Sequence, residues 1–487
     1  MVFSSAIFIF VFLPICLGGY YLIPKTRRGA KNIFLLVMSL CFYGYGEPKF
    51  VYIMICSLAV NWAIGLAVDK FRGQAAAKAF LVLMVVWNVG IFFIYKYLNF
   101  TIDTLDRFLG LEIPPQTTLY LPIGISFFTF QAMSYVVDVY RGLAPAQKSP
   151  LNTALFICLF PALIAGPIIR YNSIAEQITG RDVRFNMEDF SYGVRRFITG
   201  LAKKLILANM VAAVADRVFA SVGGLSLETA STLACWLGML CYTMQIYFDF
   251  SGYSDMAIGL GRMFGFRILE NFNYPYISGT ITEFWRRWHI SLSSWFRDYV
   301  YIPLGGSRVD TKARLVFNLF ITWMLTGVWH GAGWTFIAWG FFYFVLLTFE
   351  KLCGIPSLVA RSKATAALYR LFTIFCFMAG WVVFRAESIS DAFRYYRIMF
   401  GLETGGVRYP LVSEAAKFYI TDNWLVLVFC LIACTPLAMT IVKRLKKSET
   451  GARFANAAGA VFLGLLLLVC VSYAVNGSYN PFIYFNF

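Results

Sequence analysis

The feature that most constrains this chain is a series of apolar segments, each long enough to cross a lipid bilayer, that recurs from one end to the other. Hydrophobic residues make up 59% of the 487 residues and charged residues only 14%, whereas soluble globular domains have about 25% charged residues. Such a chain has too few polar side chains to cover a surface in water. The sequence therefore predicts an all-α polytopic membrane protein, with residues 1–487 forming a single integral-membrane domain.

Eleven apolar segments are predicted to span the membrane, because a helix of about 20 residues crosses the hydrocarbon core. These segments are 4–23, 50–68, 80–100, 119–137, 152–169, 229–250, 315–330, 334–349, 368–385, 423–441 and 457–475. A shorter apolar segment, 33–46, is predicted to enter and leave the membrane on the cytoplasmic side.

The net charge of +17 lies mainly in short connections between apolar segments, such as PKTRRGAK after the first span and RLKKSETGAR before the last. Basic connections of this kind are typical of cytoplasmic loops. Both termini are therefore predicted to be extracytoplasmic, and the partner of the positive charge is the lipid bilayer rather than nucleic acid.

Two regions in the middle of the chain depart from this pattern. Residues 191–222 and 262–314 mix charged and aromatic residues, which predicts interfacial or re-entrant helices on the cytoplasmic face. Irregular backbone at membrane depth is tolerated only beside protein or a wet cavity. We therefore expect a cavity that opens from the cytoplasm.

The chain has only two histidines, His289 and His330. His330 follows Arg314 by 16 residues, which is about 24 Å along a helix and places the imidazole deep in the membrane. An ionisable group there is a functional candidate, and a neutral imidazole suits a general base. The alternative is a structural histidine that hydrogen-bonds a neighbour. His289, in WRRWH, is either its catalytic partner or an interfacial residue.

Polar residues spaced by four precede His330 on the same helix, and they predict a stripe that lines a tunnel. The stripe consists of Asn318, Thr322 and Thr326, with Trp329 directly before the histidine. Its alternative is ordinary hydrogen bonding between helices. Asp249 and Asp255, near the end of another apolar span, either support the site or form structural ion pairs.

Arginines near His289 are candidates for binding a phosphate-bearing donor: Arg286, Arg287 and Arg297. Arginines beside aromatic residues are also common membrane-surface anchors. The 11 cysteines form no CxxC pair, so no metal site is predicted. Phosphate-loop, HExxH, GxSxG and kinase motifs are absent, which argues against ATP hydrolysis, zinc proteolysis and a serine esterase.

Seven stretches occur together, in order, from the first helices to near the C-terminus: SLCFYGYGEPKF, LPIGISFFTFQAMSYVVDVYRG, FPALIAGPIIRY, YFDFSGYSDMAIGLGRMFGF, FNYPYISGTITEFWRRWHISLSSWFRDYVYIPLGGSR, GVWHGAGWTF and WVVFRAESISDAF. With these stretches the chain resembles the membrane-bound O-acyltransferase family, in its bacterial alginate O-acetyltransferase branch. The core of the resemblance lies at about 119–387. It implies a ring-like bundle with a central tunnel, a place in the bacterial cytoplasmic membrane, and catalytic roles for His330 and His289.

The resemblance also implies that no cofactor is bound and that the donor substrate is an acyl thioester, either acetyl-coenzyme A or a carrier-protein thioester. It further implies an extracytoplasmic partner protein that handles the acyl group. In the resulting hypothesis, His330 takes a proton from the acceptor hydroxyl, with a covalent acyl-histidine as an alternative. Alginate, cellulose, peptidoglycan and other glycans all remain possible acceptors. Three competing functions are D-alanyl transfer to teichoic acid, transport of an envelope precursor, and a non-catalytic scaffold.

Overall fold

The computed structural model describes residues 1–110, 113–114, 120–224, 226, 229–476 and 481. This part of the chain is helical and contains no β-strand; the only β-type pairing in it is an isolated bridge between Thr404 and Val407. The chain divides into two compact units. The first comprises Met1–Phe197 with Tyr253–Glu270, and the second comprises Ile198–Gly252 with Asn271–Phe487.

The first unit is a helical bundle around a core of phenylalanine rings. Phe3 lies 4.9 Å from Phe8 and 5.5 Å from Phe42, and it stacks on Tyr253 at 4.5 Å, measured between ring centroids. Its helices are Phe8–Phe12 (π), Leu13–Leu22, Arg28–Gly46, Val51–Lys70, Ala75–Phe92, Phe93–Tyr97 (π), Leu98–Leu109, Ile125–Tyr140, Pro150–Cys158, Phe160–Leu163, Tyr171–Gly180 and most of Met187–Ala202.

The second unit packs its helices around stacked aromatic rings, among them Tyr276 and Phe284, which lie 4.7 Å and 5.0 Å from Phe377. Its helices are Lys203–Ala208 (π), Asn209–Gly223, most of Thr232–Met263, Pro275–Ile277 (3-10), Ile281–Arg287, Ile290–Phe296, Arg297–Tyr301 (π), Lys312–His330, Trp334–Leu352, Ile355–Val359, Lys363–Arg385, Ile389–Met399, Glu414–Ala433, Leu437–Leu445 and Glu449–Val475.

Seven helices in the described part of the chain are long and apolar enough to cross a membrane, so the protein is a multi-pass membrane protein. They are Val51–Lys70, Ala75–Leu109, Met187–Gly223, Trp334–Leu352, Lys363–Arg385, Glu414–Ala433 and Glu449–Val475. The predicted total of eleven spans is therefore not confirmed. The predicted extracytoplasmic C-terminus falls largely on residues 477–480 and 482–487, outside the described residues.

The predicted span at 152–169 is wrong as a continuous helix. It consists of Pro150–Cys158 and the single turn Phe160–Leu163, separated at Leu159, whose φ of −52° and ψ of 108° are not helical. Pro161 explains the interruption, because proline has no N–H to donate to the preceding turn and its ring clashes with that turn.

Residues 191–222, predicted as an interfacial helix, belong to one continuous helical segment, Met187–Gly223, that is long and apolar enough to span a membrane. Two of its basic residues are neutralised by tertiary contacts. Lys204 pairs with Asp249 at 2.7 Å, and Arg196 pairs with Asp255 at 2.7 Å. The charges that interrupt the apolar pattern are therefore not evidence of exposure to water.

Asp249 and Asp255 lie on a single helix of 32 residues, Thr232–Met263, which continues through Gly252. A Cβ atom at Gly252 would lie 2.7 Å from the carbonyl oxygen of Gly200. Glycine at this position therefore lets two helix backbones approach closely, as small residues do in membrane proteins, and it does not break the helix.

Candidate active site

Helix Ile281–Arg287, which carries most of the WRRWH segment, is held at its N-terminus by a carboxylate from another helix. Glu350 is fully buried and accepts hydrogen bonds from the backbone N–H groups of Ile281 and Thr282, at 2.6 Å and 2.8 Å. A carboxylate is favourable there because helix N-termini have unpaired N–H groups and a partial positive charge. Nothing in the local sequence indicated that Glu350 performs this role.

His330 is the last residue of helix Lys312–His330, and the structure buries it among aromatic rings. The rings of Trp329, Trp339 and Phe384 present edge-to-face contacts at centroid distances of 4.9 Å, 5.0 Å and 5.2 Å. Trp329 also lies 6.2 Å from the ring of His289. The two histidines, 41 positions apart in the chain, therefore flank the same tryptophan.

His289 adopts a left-handed backbone conformation, with φ 43° and ψ 54°, at the start of helix Ile290–Phe296. Such a conformation costs a non-glycine residue roughly 1–3 kcal/mol and persists only where surrounding contacts enforce it. Asn271 supplies those contacts. Its carbonyl oxygen accepts from the N–H of Ile290 at 2.9 Å, and its side-chain Oδ1 accepts from the N–H of Ser291 at 3.1 Å.

The same Asn271 oxygen determines which nitrogen of His289 carries the proton. Because a backbone N–H of Ser291 donates to it, the side-chain atom at this position is the acceptor Oδ1 and not the amide nitrogen. Nδ1 of His289, at 3.2 Å from Oδ1, must therefore donate. Nε2 then carries the lone pair of the neutral ring, and it is buried without a hydrogen-bond partner among the residues that the structure describes.

Burial lowers the pKa of His289 well below its usual value, because the imidazolium loses its hydration, and a charge on His330 would lower it further. His289 is therefore neutral near pH 7 and presents an accepting nitrogen inside the protein. Sequence reasoning identified His289 but missed Asn271, since a single asparagine in ENFNYPY has no recognisable signal.

A cavity of about 360 Å³ lies beside this pair of histidines within the second unit. Thr322 and Thr326 line it, with Trp285 and Ile290. Neither histidine lines the cavity, but Thr326 precedes His330 by one helical turn and Ile290 directly follows His289. The cavity therefore ends close to both imidazoles.

Three tryptophans separate the cavity from His330. Trp285 lies 4.8 Å from Trp323 and 5.5 Å from Trp339, and Trp339 lies 5.0 Å from His330. Trp285 and Trp323 line the cavity, whereas Trp339 is fully buried behind them. A continuous series of ring contacts therefore connects the cavity lining to His330.

Cationic side chains lie at the cavity. Arg286 is exposed and forms no ion pair within the described residues. Arg297 pairs with Asp298 at 2.7 Å, and this hydrogen bond raises the pKa of the Arg297 guanidinium. Lys351 donates to the hydroxyl of Tyr301 at 2.7 Å. Arg297 is thus neutralised by Asp298, whereas Arg286 and Lys351 keep their charge, and Arg286 makes no hydrogen bond in the described part of the chain that an anion would have to displace.

Arg287, predicted with Arg286 and Arg297 to bind the donor, is not part of the cavity lining. It pairs with Glu283 at 2.8 Å and donates to the carbonyl oxygen of Asn273 at 3.1 Å. Residues 286 and 287 point apart because neighbouring side chains on a helix are about 100° apart. Arg287 thus supports its own helix and lies outside the cavity lining in this structure.

Only part of the predicted polar stripe lines the cavity. The hydroxyls of Thr322 and Thr326 line the cavity, but each donates to the carbonyl oxygen four residues earlier in its own helix, at 2.7 Å and 2.8 Å. Asn318 is fully buried, does not line the cavity and donates to the carbonyl oxygen of Gly306 at 3.0 Å. Asn318 therefore holds the YIPLGGSR turn against the helix.

Asp249 and Asp255 do not lie in the cavity. The pair of Asp249 with Lys204 is buried on both sides, and Asp255 pairs with Arg196 in the first unit. Phe250, next to Asp249, packs its ring edge-to-face on His289 at 4.5 Å. Asp249 thus acts on the site only by anchoring the helix that carries Phe250.

Comparison with known proteins agrees with the resemblance seen in the motifs. The sequence profile described as "MBOAT, membrane-bound O-acyltransferase family" matches residues 84–390. The chain is 40% identical over 502 aligned positions to a probable alginate O-acetylase of Pseudomonas putida, covering 100% of both proteins. It is 31% identical to a peptidoglycan O-acetyltransferase of Helicobacter pylori over 523 positions, covering 100% of this chain and 98% of the relative.

A more distant relative is a teichoic acid D-alanyltransferase of Bacillus subtilis, 31% identical over 286 positions, which cover 56% of this chain and 71% of that protein. The family profile covers more than half of the chain, and two relatives align over its whole length. The protein is therefore an O-acyltransferase and belongs to the membrane-bound O-acyltransferase family.

Proposed function

We propose that this protein transfers an acetyl group from a cytoplasmic thioester, through the membrane, to a hydroxyl group of a polymer of the bacterial cell envelope. The observation that carries the proposal is that the only two histidines of the chain lie buried on either side of Trp329, beside a cavity with a free arginine. The acetyl group is favoured because relatives named as O-acetyltransferases align over the full chain, whereas the D-alanyltransferase covers 56% of it.

In the proposed reaction, His330 removes the proton from the acceptor hydroxyl as its oxygen attacks the thioester carbonyl. A carbon–oxygen bond forms and the carbon–sulfur bond breaks. The thiolate leaves, and the proton from the hydroxyl stays on the imidazolium of His330. His289 contributes Nε2, which accepts a hydrogen bond from an N–H or O–H group of the substrate and so orients it. Asn271 keeps that nitrogen free of its own proton.

The donor enters the cavity lined by Thr322 and Thr326, with its phosphate bound at Arg286. The cavity volume of about 360 Å³ is at the lower end of the range for small-molecule sites, which suits a narrow thioester arm. Both acetyl-coenzyme A and a carrier-protein thioester carry such an arm. In this proposal the cavity faces the cytoplasm, both termini face outward, and the helices form a ring around a tunnel. A separate extracytoplasmic protein helps to pass the acetyl group to the polymer.

The test is acyl transfer by the full-length protein reconstituted in lipid. Thioester loss and transfer of radiolabel to alginate or peptidoglycan fragments are measured with acetyl-coenzyme A, an acetylated carrier protein and a D-alanyl carrier protein. The variants are His330→Ala and His330→Gln, with Arg287→Gln as a control outside the cavity. Loss of a general base lowers the rate by about 10²–10⁴-fold, and the control should keep the wild-type rate.

The outcomes separate the competing functions. Rapid turnover of the D-alanyl thioester alone would move the assignment to teichoic acid modification. A protein that consumes no thioester under any of these conditions, with the extracytoplasmic partner protein also present, would be a transporter or a scaffold. Equal turnover by wild type and both folded His330 variants would leave the enzyme assignment standing but would remove His330 from the mechanism.

A further inference from the structure

A cavity of about 260 Å³ in the first unit, whose lining includes neither histidine, is rich in arginine. We call it the arginine pocket; its charged lining consists of Arg181, Asp182, Arg184, Asp189, Arg262 and Arg267. An adjoining groove of about 690 Å³ shares Tyr21 and Arg184 with it. The groove is lined mainly by apolar residues, among them Leu17, Ile23, Phe185 and Phe190.

Arg181 is the most informative residue of the arginine pocket. Its side chain is only 6% exposed, its guanidinium stacks over Phe266 at 3.9 Å, and Nε donates to the carbonyl oxygen of Phe264 at 3.3 Å. Its Nη1 donates to the carbonyl oxygens of Gln177 and Ile178 at 3.4 Å, and the side chain of Tyr20 lies next to the guanidinium. Its Nη2 is buried and meets the distance and angle of a hydrogen bond with no group in the part of the chain that the structure describes. Arg181 also has no carboxylate partner in the described residues, although a buried cation is costly unless it is paired.

The positive charge of the region exceeds what its own carboxylates neutralise. Asp182 is engaged by Arg184 at 2.7 Å, and Asp189 is engaged by Arg262 at 2.9 Å. Four further cations line the pocket or the groove and form no ion pair within the residues that the structure describes: Arg181, Arg267, Lys25 and Lys31. Guanidinium groups in this arrangement bind phosphate with paired hydrogen bonds.

The groove supplies the second half of a ligand site. Its lining includes Leu17, Gly18 and Tyr21 of the apolar helix Leu13–Leu22, and Phe185, which is half-exposed and lies 5.2 Å from the ring of Tyr21. Gly18 leaves the middle of the groove open, since a Cβ atom placed there would meet nothing within 4 Å. An alkyl chain in this groove would make van der Waals contacts with its apolar lining, which is what favours association inside a membrane, where the lipid tails are themselves apolar.

We propose that the arginine pocket and the adjoining groove together form a binding site for an anionic phospholipid, with its phosphate on Arg181 and Arg267 and one acyl chain in the groove. The shared chemistry with free phosphate is the oxyanion, but only a lipid uses both halves of the site. Basic residues at the cytoplasmic surface attract the anionic lipids of that leaflet, and the predicted cytoplasmic loop PKTRRGAK contributes Lys25 and Lys31. The site is independent of the acyl-transfer reaction.

The first arm of the test removes charge. Binding of phosphatidylglycerol and of phosphatidylcholine to the purified full-length protein is measured by native mass spectrometry for wild type, Arg267→Gln and Arg107→Gln. Arg107 is the control position, because its side chain is 72% exposed and lines neither cavity. The variant Arg107→Gln removes the same unit of charge as Arg267→Gln. We expect tenfold preference for phosphatidylglycerol in wild type, a roughly fivefold loss in Arg267→Gln, and no loss in the control.

The second arm fills the groove. Gly18→Phe places a ring in it, and Gly90→Phe makes the same change at another helical glycine with open space around it and no place in either cavity. Gly18→Phe should weaken the binding of phosphatidylglycerol about fivefold or more relative to Gly90→Phe. The ability of inorganic phosphate to compete with the lipid should stay unchanged. Equal binding of the two lipids by wild type would overturn the proposal. If the two glycine variants changed lipid binding equally, and inorganic phosphate displaced the lipid completely, the site would instead be one for the free phosphate ion.

Discussion

The hydrogen bond from Nδ1 of His289 to Asn271 makes the pH dependence of acyl transfer a direct test of the site. Burial lowers the pKa of His289 well below its usual 6.5, so the ring stays neutral as pH falls through the neutral range. Its protonation can therefore limit the wild-type rate only in distinctly acidic solution. Asn271→Asp changes the pKa of His289 while leaving the shape of the side chain at position 271 nearly unchanged.

An aspartate at position 271 keeps the acceptor for the N–H of Ser291 and for Nδ1 of His289, and it adds a negative charge about 3.2 Å from Nδ1. At that separation and an effective dielectric constant of about 20, the attraction to an imidazolium is about 5 kcal/mol before the carboxylate's own loss of hydration is subtracted. Close opposite charges shift pKa values by about 1–3 units in proteins. The shift is upward, because the added charge stabilises the protonated ring.

We therefore expect the acidic limb of the pH–rate profile to move to higher pH by about 1–3 units in Asn271→Asp. The assay is the initial rate of thioester loss from about pH 5 to about pH 9, which spans the titration of histidine. Asn423→Asp makes the same chemical change on helix Glu414–Ala433, away from the cavity. An acidic limb that coincides in the two folded variants would refute the assigned tautomer and its role.

Three further predictions concern other parts of the chain. His289→Asn keeps a donor near the position of Nδ1 but deletes Nε2, so the single-turnover rate should fall by about 10²-fold or more, and an unchanged rate would exclude Nε2 from the reaction. Arg286→Gln should raise KM for a phosphate-bearing thioester about tenfold with little change in kcat; an equal rise in Arg287→Gln would show that general surface charge is responsible. Lys204→Met should lower the free energy of unfolding by about 3–5 kcal/mol because Asp249 is left charged and buried. The double variant Lys204→Met/Asp249→Leu should recover most of that loss in thermal unfolding, and no recovery would contradict the pairing.

The helices were predictable because the bilayer leaves the backbone few choices. A chain segment in hydrocarbon must pair its own N–H and C=O groups, so an apolar run of sufficient length becomes a helix. Trp334–Leu352, Lys363–Arg385 and Glu449–Val475 lie close to their predicted positions for this reason. The prediction failed at 152–169, where Pro161 interrupts an apolar run whose composition otherwise suits a span.

The two histidines were predictable as candidates because titratable residues are rare in such a chain. Their packing against one tryptophan was not predictable from their separation in sequence, since it depends on how helix Lys312–His330 meets the turn that carries His289. The same holds for the arginines of WRRWH. One lines the cavity and the next pairs with Glu283, and the helical rotation between them decides which is free.

The sequence by itself determined the class of the protein, its helical character and the residue types available for chemistry, because these follow from composition and from the hydrogen-bonding demands of the backbone in lipid. Only the tertiary structure decided which polar groups are paired. Asp249 is neutralised by Lys204, Glu350 anchors the helix before His289, and Asn271 selects the tautomer of that histidine. These contacts join residues 18 to 69 positions apart in the chain. A buried polar group is satisfied by whichever partner the packing brings within hydrogen-bonding distance.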